Sequence, residues 1–123
     1  MEAIQSAGAI SDRSTCAEKA TAIGPGIIGA NPGRKATFTI TSRDIQNCQR
    51  ELGGDVYVAK LQAKEGGPEF KVDVEDQDDG TYLAEYTVPN KSFPSPCGQY
   101  TLSVCLHGAH IKGSPFSVQV TRP

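Results

Sequence analysis

The sequence has no tryptophan, a single methionine, and only two histidines in 123 residues. No apolar run approaches the roughly 20 residues that a helix needs to cross a bilayer, so no membrane association is expected. Residues 1–14 show no basic region followed by an apolar one, which excludes the pattern of a secretory signal. Basic runs are also missing, and the formal net charge is −2. Nucleic-acid binding through an electrostatic footprint is therefore not expected. Gly-x-Ser-x-Gly, P-loop and dinucleotide fingerprints are absent. Cysteines at 16, 48, 97 and 105 form no Cys-x-x-Cys pair, which speaks against a zinc site. His107 and His110 flank one turn, with neither a helix nor a partner carboxylate in sight to make them metal ligands. The expectation is a chain with no catalytic residues, no cofactor and no metal.

Turn formers and short alternating segments are abundant instead. Thirteen glycines and eight prolines punctuate a chain that is 37% hydrophobic, enough for the core of one ordinary domain. Gly24-Pro25-Gly26 and Asn31-Pro32-Gly33 are breakers, and Asp78-Asp79-Gly80 is a hairpin signal. Between the turns, period-two alternation marks strands. Residues 34–43 place Ala36, Phe38 and Ile40 on one face. Residues 55–61 set Val56 and Val58 against Tyr57 and Ala59. Residues 69–76 set Phe70, Val72 and Val74 against Lys71, Asp73 and Glu75. Tyr82, Ala84, Tyr86 and Val88 share a face over 81–88; Tyr100, Leu102, Val104 and Leu106 do so over 98–107. A first strand over 17–23 and a last, with Phe116, Val118 and Val120, complete seven, and Ile27-Ile28 rejoin the sheet after the first break. No window sustains helical periodicity, so the spacing predicts an all-β, antiparallel sandwich.

The acidic cluster Asp73, Glu75, Asp76, Asp78 and Asp79 lacks the spacing of a calcium loop and is read as a solvated face. Tyr82, Tyr86 and Tyr100 are read as core residues with polar tips at the rim, Tyr100 being placed for a tyrosine corner.

Five motifs, in order, resemble a filamin-type immunoglobulin repeat. They are Gly24-Pro25-Gly26-Ile27, Ala36-Thr37-Phe38-Thr39-Ile40, Asp78-Asp79-Gly80-Thr81-Tyr82 with Tyr86-Thr87-Val88-Pro89, Gly98-Gln99-Tyr100, and His110-Ile111-Lys112-Gly113-Ser114-Pro115-Phe116. The resemblance covers residues 15–122 and leaves 1–14 as a linker or the end of a preceding element. The loop over 89–97 is longer than the filamin connection, and 45–52 is bulkier and more charged than its Gly-rich counterpart. Both departures suggest a divergent repeat, of the kind also found in tripartite-motif (TRIM) ubiquitin ligases. An extracellular immunoglobulin domain would join its second and sixth strands by a disulfide. Cys105 lies in the sixth, but the second carries no cysteine, so a reducing, cytoplasmic setting is expected. The cysteines are then four free thiols or include a Cys97–Cys105 bridge.

The resemblance implies a non-catalytic interaction or spacer module of a larger protein, with protein partners docking at an exposed sheet edge. Its alternative form is a substrate-recruiting or positioning domain of a TRIM-type E3 ubiquitin ligase. Oligomeric state is left open. In such repeats the third and fourth strands are edges of opposite sheets, and an extended peptide adds as a strand between them. Carried onto this sequence, the peptide groove is lined by residues 55–61 and 69–76, with Val56, Tyr57, Val58, Ala59, Lys60 and Leu61 and Phe70, Lys71, Val72 and Asp73 as its peptide-binding residues. Tyr57, Ala59, Lys71 and Asp73 are expected to face outward, and Lys60 and Lys64 to deter unwanted edge pairing.

Overall fold

A computed structural model describes residues 14–63, 69–89 and 97–121. The expected linker (except Ser14), the turn carrying Lys64 and most of the long loop over 89–97 lie outside the described residues.

Seven strands of three or more residues form where alternation predicts them. These are β1 (Thr21–Ile23), β3 (Lys35–Thr41), β4 (Tyr57–Ala63), β5 (Glu69–Asp76), β6 (Thr81–Thr87), β7 (Gly98–Leu106) and β9 (Phe116–Val120). Two-residue strands β2 (Gly29–Ala30) and β8 (Ala109–His110) are added. The expected first strand is shorter than its sequence suggests, because Ala17–Lys19 winds into a 3-10 turn. Ile27 and Ile28 are not in a strand either. Pro25–Ile27 forms a second 3-10 turn, and the chain rejoins the sheet one residue later, at Gly29.

The strands follow the order β1-β3-β6-β5-β4-β7-β9-β2, with β8 on β7. Pairing is antiparallel except where β2 runs parallel to β9. This path folds over on itself, so the inward residues of β3 and β6 face those of β4, β7 and β9 in one core. Phe38, Ile40, Leu61, Tyr82, Leu102, Val104, Val118 and Val120 are all essentially inaccessible to solvent. Each such large apolar side chain contributes about 1.5–3 kcal/mol by leaving water.

The turn between β5 and β6 is the one that the sequence announces. Asp78 and Gly80 have φ of 63° and 91°, and the Asp79 carboxylate accepts from both the Thr81 amide and its hydroxyl. These bonds, the hydroxyl's first, hold the Asp79 carboxyl below its ordinary range. The neighbouring Asp76 carboxylate accepts from the Gly54 and Asp78 amides. The acids thus serve backbone donors, and among the described residues no cluster suits a metal ion.

Candidate peptide-binding slot

One strand decides the shape of the candidate site. The first half of β5 pairs with β4 (Ala59↔Val72, Lys60↔Lys71, Leu61↔Phe70, Gln62↔Glu69), and its second half pairs with β6 (Asp73↔Glu85 through Asp76↔Tyr82). β5 therefore crosses from one layer to the other near Val72. β4 in turn pairs along its whole length with β7. The third and fourth long strands are consequently edges only in part: β4 has no β5 partner at Tyr57 and Val58, and β5 has no β4 partner from Asp73 to Asp76, whereas the rest of their shared margin is paired. The physical reason is the register: a β4–β5 hairpin pairs four residues before twist carries β5 away.

What stays open is a slot where the strands diverge. Its closed end is the Ala59↔Val72 pair. Its far end is tied by the Gly54 amide to Asp76 Oδ2 (2.8 Å) and by the Asp55 amide to the Tyr82 hydroxyl (2.9 Å). A cavity of about 590 Å³ lies here, lined by residues 57–60 and 69–74. Tyr57, Ala59 and Val72 are buried at its floor, with Phe70 and Val74 half-buried beside them. Val58, Lys60, Lys71 and Asp73 are exposed on its rim. Val56 stands just beyond the lining, 68% exposed, while Leu61 lies wholly in the core.

Tyr57 and Ala59 point inward, opposite to the expectation, and Val56 and Val58 point out. The cause is a polar network at this end of the sandwich. The fully buried Ser42 hydroxyl donates to Asp55 Oδ2 (2.7 Å) and lies 2.6 Å from the Tyr57 hydroxyl. Having one proton, which goes to the carboxylate, Ser42 accepts from Tyr57. Thr15 also donates to Asp55 Oδ2, at 2.5 Å. The Tyr57 ring packs edge-on to Tyr82, with centroids 4.9 Å apart. Because side chains alternate, fixing Tyr57 inward fixes Ala59 and Leu61 inward and turns both valines out.

Burial pushes the Tyr57 phenol up to about 12, the Asp55 carboxylate adding in the same direction. Burial does the same to Tyr86, whose hydroxyl donates to the Gly26 carbonyl at 2.6 Å. That tie from tyrosine to backbone is the kind expected of Tyr100, which is itself buried. The ordinary phenol value is 10.0, so folding favours the neutral form. The resulting stability is intact below pH 10 and is lost as pH rises toward about 12, through the folded-state values. Titration followed by tyrosinate absorbance and circular dichroism should therefore show alkaline unfolding in that window, absorbance and fold changing together. Ionisation of all tyrosines near pH 10 with the fold intact would contradict the burial.

None of the four cysteines is in a disulfide, and Cys105 Sγ lies 3.6 Å from His110 Nδ1, which is 2.7 Å from Ser114 Oγ. Among the described residues, no helix is long and apolar enough to cross a membrane. Val74 and Glu69, within the carried-over span 69–76, also line the slot. Ser42, which ties its end, gave no comparable local signal in the sequence.

Residues 14–117 match the family model described as the Filamin/ABP280 repeat. The chain is 36% identical over 118 residues to E3 ubiquitin-protein ligase TRIM71 of Gallus gallus, covering 96% of this chain and 13% of that protein. It is 32% identical over 116 residues to human E3 ubiquitin-protein ligase TRIM45, covering 94% of this chain and 19% of the relative. The chain thus spans less than a fifth of the length of these relatives. The crystal structure of the Lin-41 filamin domain superposes with a TM-score of 0.70 at 22% identity, over 89% of this chain and 98% of that one. That likeness establishes an immunoglobulin-like fold.

Proposed function

The chain belongs to the Filamin/ABP280 repeat family, a non-catalytic fold for protein interaction, and from that premise we propose that the β4–β5 slot receives an extended segment of a protein partner. The observation that carries this reading is the divergence of β5 from β4 beside an apolar floor, with Val58 left 52% exposed at the rim. Contiguous apolar surface, rather than single exposed residues, marks interaction sites, and Val56 and Val58 adjoin the apolar floor. The segment adds as a short strand along residues 56–58, where the β4–β5 ladder does not reach. Both ends of the slot are tied, so it takes only about three residues as strand, and affinity comes mainly from side chains dropped onto Phe70, Val72 and Val74.

At the level of the host, the unit serves to recruit or position substrates in a cytoplasmic TRIM-type ligase. The TRIM71 and TRIM45 relatives support that context, and ubiquitin transfer then belongs to other domains. A spacer role with no ligand is the competing reading, and recovery of partners at the slot separates the two.

The test uses random dodecamer peptides displayed on phage and selected on the wild-type chain. Enriched peptides should protect the amides of residues 56–58 from hydrogen exchange and should lose about tenfold or more in affinity for Val58→Asp. That side chain is exposed, so its replacement should change stability by no more than about 0.5 kcal/mol. Peptides that bind Val58→Asp as well as wild type would place the binding surface elsewhere.

A further inference from the structure

The rims of the slot differ in chemistry. On the β4 side stand Val56 and Val58, both more than half exposed. On the β5 side stand Asp73 and Glu75, both exposed and, among the described residues, in no ion pair. Asp73 also lies directly across the β5–β6 ladder from Glu85, so a second acid stands behind it. Lys35, 3.5 Å from Glu85 Oε1, answers that outer carboxylate. The sign reverses at the closed end. There Lys60 and Lys71 face each other directly across the β4–β5 ladder, also outside any ion pair among the described residues. Like charges placed opposite one another on a sheet disfavour their own pairing. Glu69 and Asp73 both lie two residues from Lys71 on its face and diagonal to Lys60, so the basic pair is balanced on either side, and the acid left over is Glu75, toward the open end.

We infer that the occupant of the slot is an extended segment with apolar side chains at alternate positions and lysine or arginine between them. The inference rests on the slot reading above and specifies its partner. Side chains of a strand alternate between two faces. One set meets the floor of Phe70, Val72 and Val74, and the other rises between the rims. A lysine or arginine there lays its hydrocarbon stem on Val56 and Val58 and its charge against Asp73 and Glu75. An acidic residue in that position meets Asp73, Glu75 and valine, with Lys71 near only at the closed end. Lys60 and Lys71 exclude a basic residue from the closed end, which sets the register and confines the basic positions to the open end.

Fluorescently labelled peptides with Val-Lys-Val-Lys-Val or Val-Glu-Val-Glu-Val centres and Gly/Ser flanks test this by anisotropy. At low salt the lysine peptide should bind about tenfold more tightly than the glutamate peptide. The difference should shrink as ionic strength rises. Asp73→Asn combined with Glu75→Gln should erase the preference. Lys60→Gln combined with Lys71→Gln should strengthen binding of the lysine peptide. If both peptides bind equally, or the glutamate peptide binds more tightly, while the uncharged Val58→Ser weakens both, the charge inference is overturned and the slot stands. If neither binds, or binding ignores Val58→Ser, the slot reading fails and takes the inference with it.

Discussion

Gly80→Ala should destabilise the domain by about 3–5 kcal/mol, a large share of the roughly 5–15 kcal/mol by which a native domain is stable. Two effects add. Gly80 has φ of 91°, a conformation that costs an L-residue about 1–2 kcal/mol. A Cβ placed there would also fall on the carbonyl oxygen of Arg50. That carbonyl cannot simply step aside, because the Arg50 amide is bonded to the Ser42 carbonyl at 2.8 Å, and the Ser42 amide to the Gly80 carbonyl at 2.9 Å. The clash is therefore transmitted to Ser42, and from there to Asp55 and Tyr57 at the end of the slot. Gly54 supplies the control. Its φ is 106°, yet a Cβ there meets nothing within 4 Å, so Gly54→Ala should cost only about the backbone term. Urea melts of the two variants measure the difference, and equal losses would show that the Arg50 crossing is not packed as described.

The sequence makes the turn at Gly80 legible because its chemistry is local. Asp-Asp-Gly needs only its own neighbours to form a hairpin, and Phe38, Tyr82 and Leu102 announce their faces by alternating with polar residues. The β4 segment has no such contrast. Val56, Tyr57, Val58 and Ala59 are four apolar residues in succession, so period-two reading finds two equal faces and cannot say which is buried. The choice is made fifteen positions away, where Ser42 offers the Tyr57 hydroxyl a buried partner. The course of β5 escapes local reading for a similar reason. Phe70, Val72 and Val74 alternate evenly, and nothing in residues 69–76 marks the point where the strand leaves β4 for β6. That point is fixed by the register of two separate ladders, one with residues 59–62 and one with residues 82–85. The neighbourhood of the candidate site was thus visible in the sequence, whereas the polarity of β4 and the partial closure of its edge were not. Both depend on contacts between distant segments.

The difference between the core and the slot floor gives the other large effect. Phe38→Ala should cost about 3–5 kcal/mol, the usual range for removing a fully buried phenylalanine. The ring is 1% exposed, and its Cα pairs with that of Ala84, whose small side chain makes room for it. Gly24 presses on the same residue, a Cβ there falling 2.8 Å from the Phe38 Cα. Backbone this close on one side and a ladder on the other leave the walls little freedom to collapse into the space. Phe70→Ala provides the contrast. From sequence the two phenylalanines look alike, each inward on an alternating strand. Phe70, however, sits where β5 is about to leave β4, half-buried and 6.2 Å from the Tyr100 ring. Truncating it opens a space that water already borders, so the loss should be only about 1–2 kcal/mol. Denaturant melts of both variants test the distinction. A small loss for Phe38→Ala would place that ring outside the core. A loss at Phe70 as large as at Phe38 would mean that the slot is closed and packed, with no floor for a ligand to use.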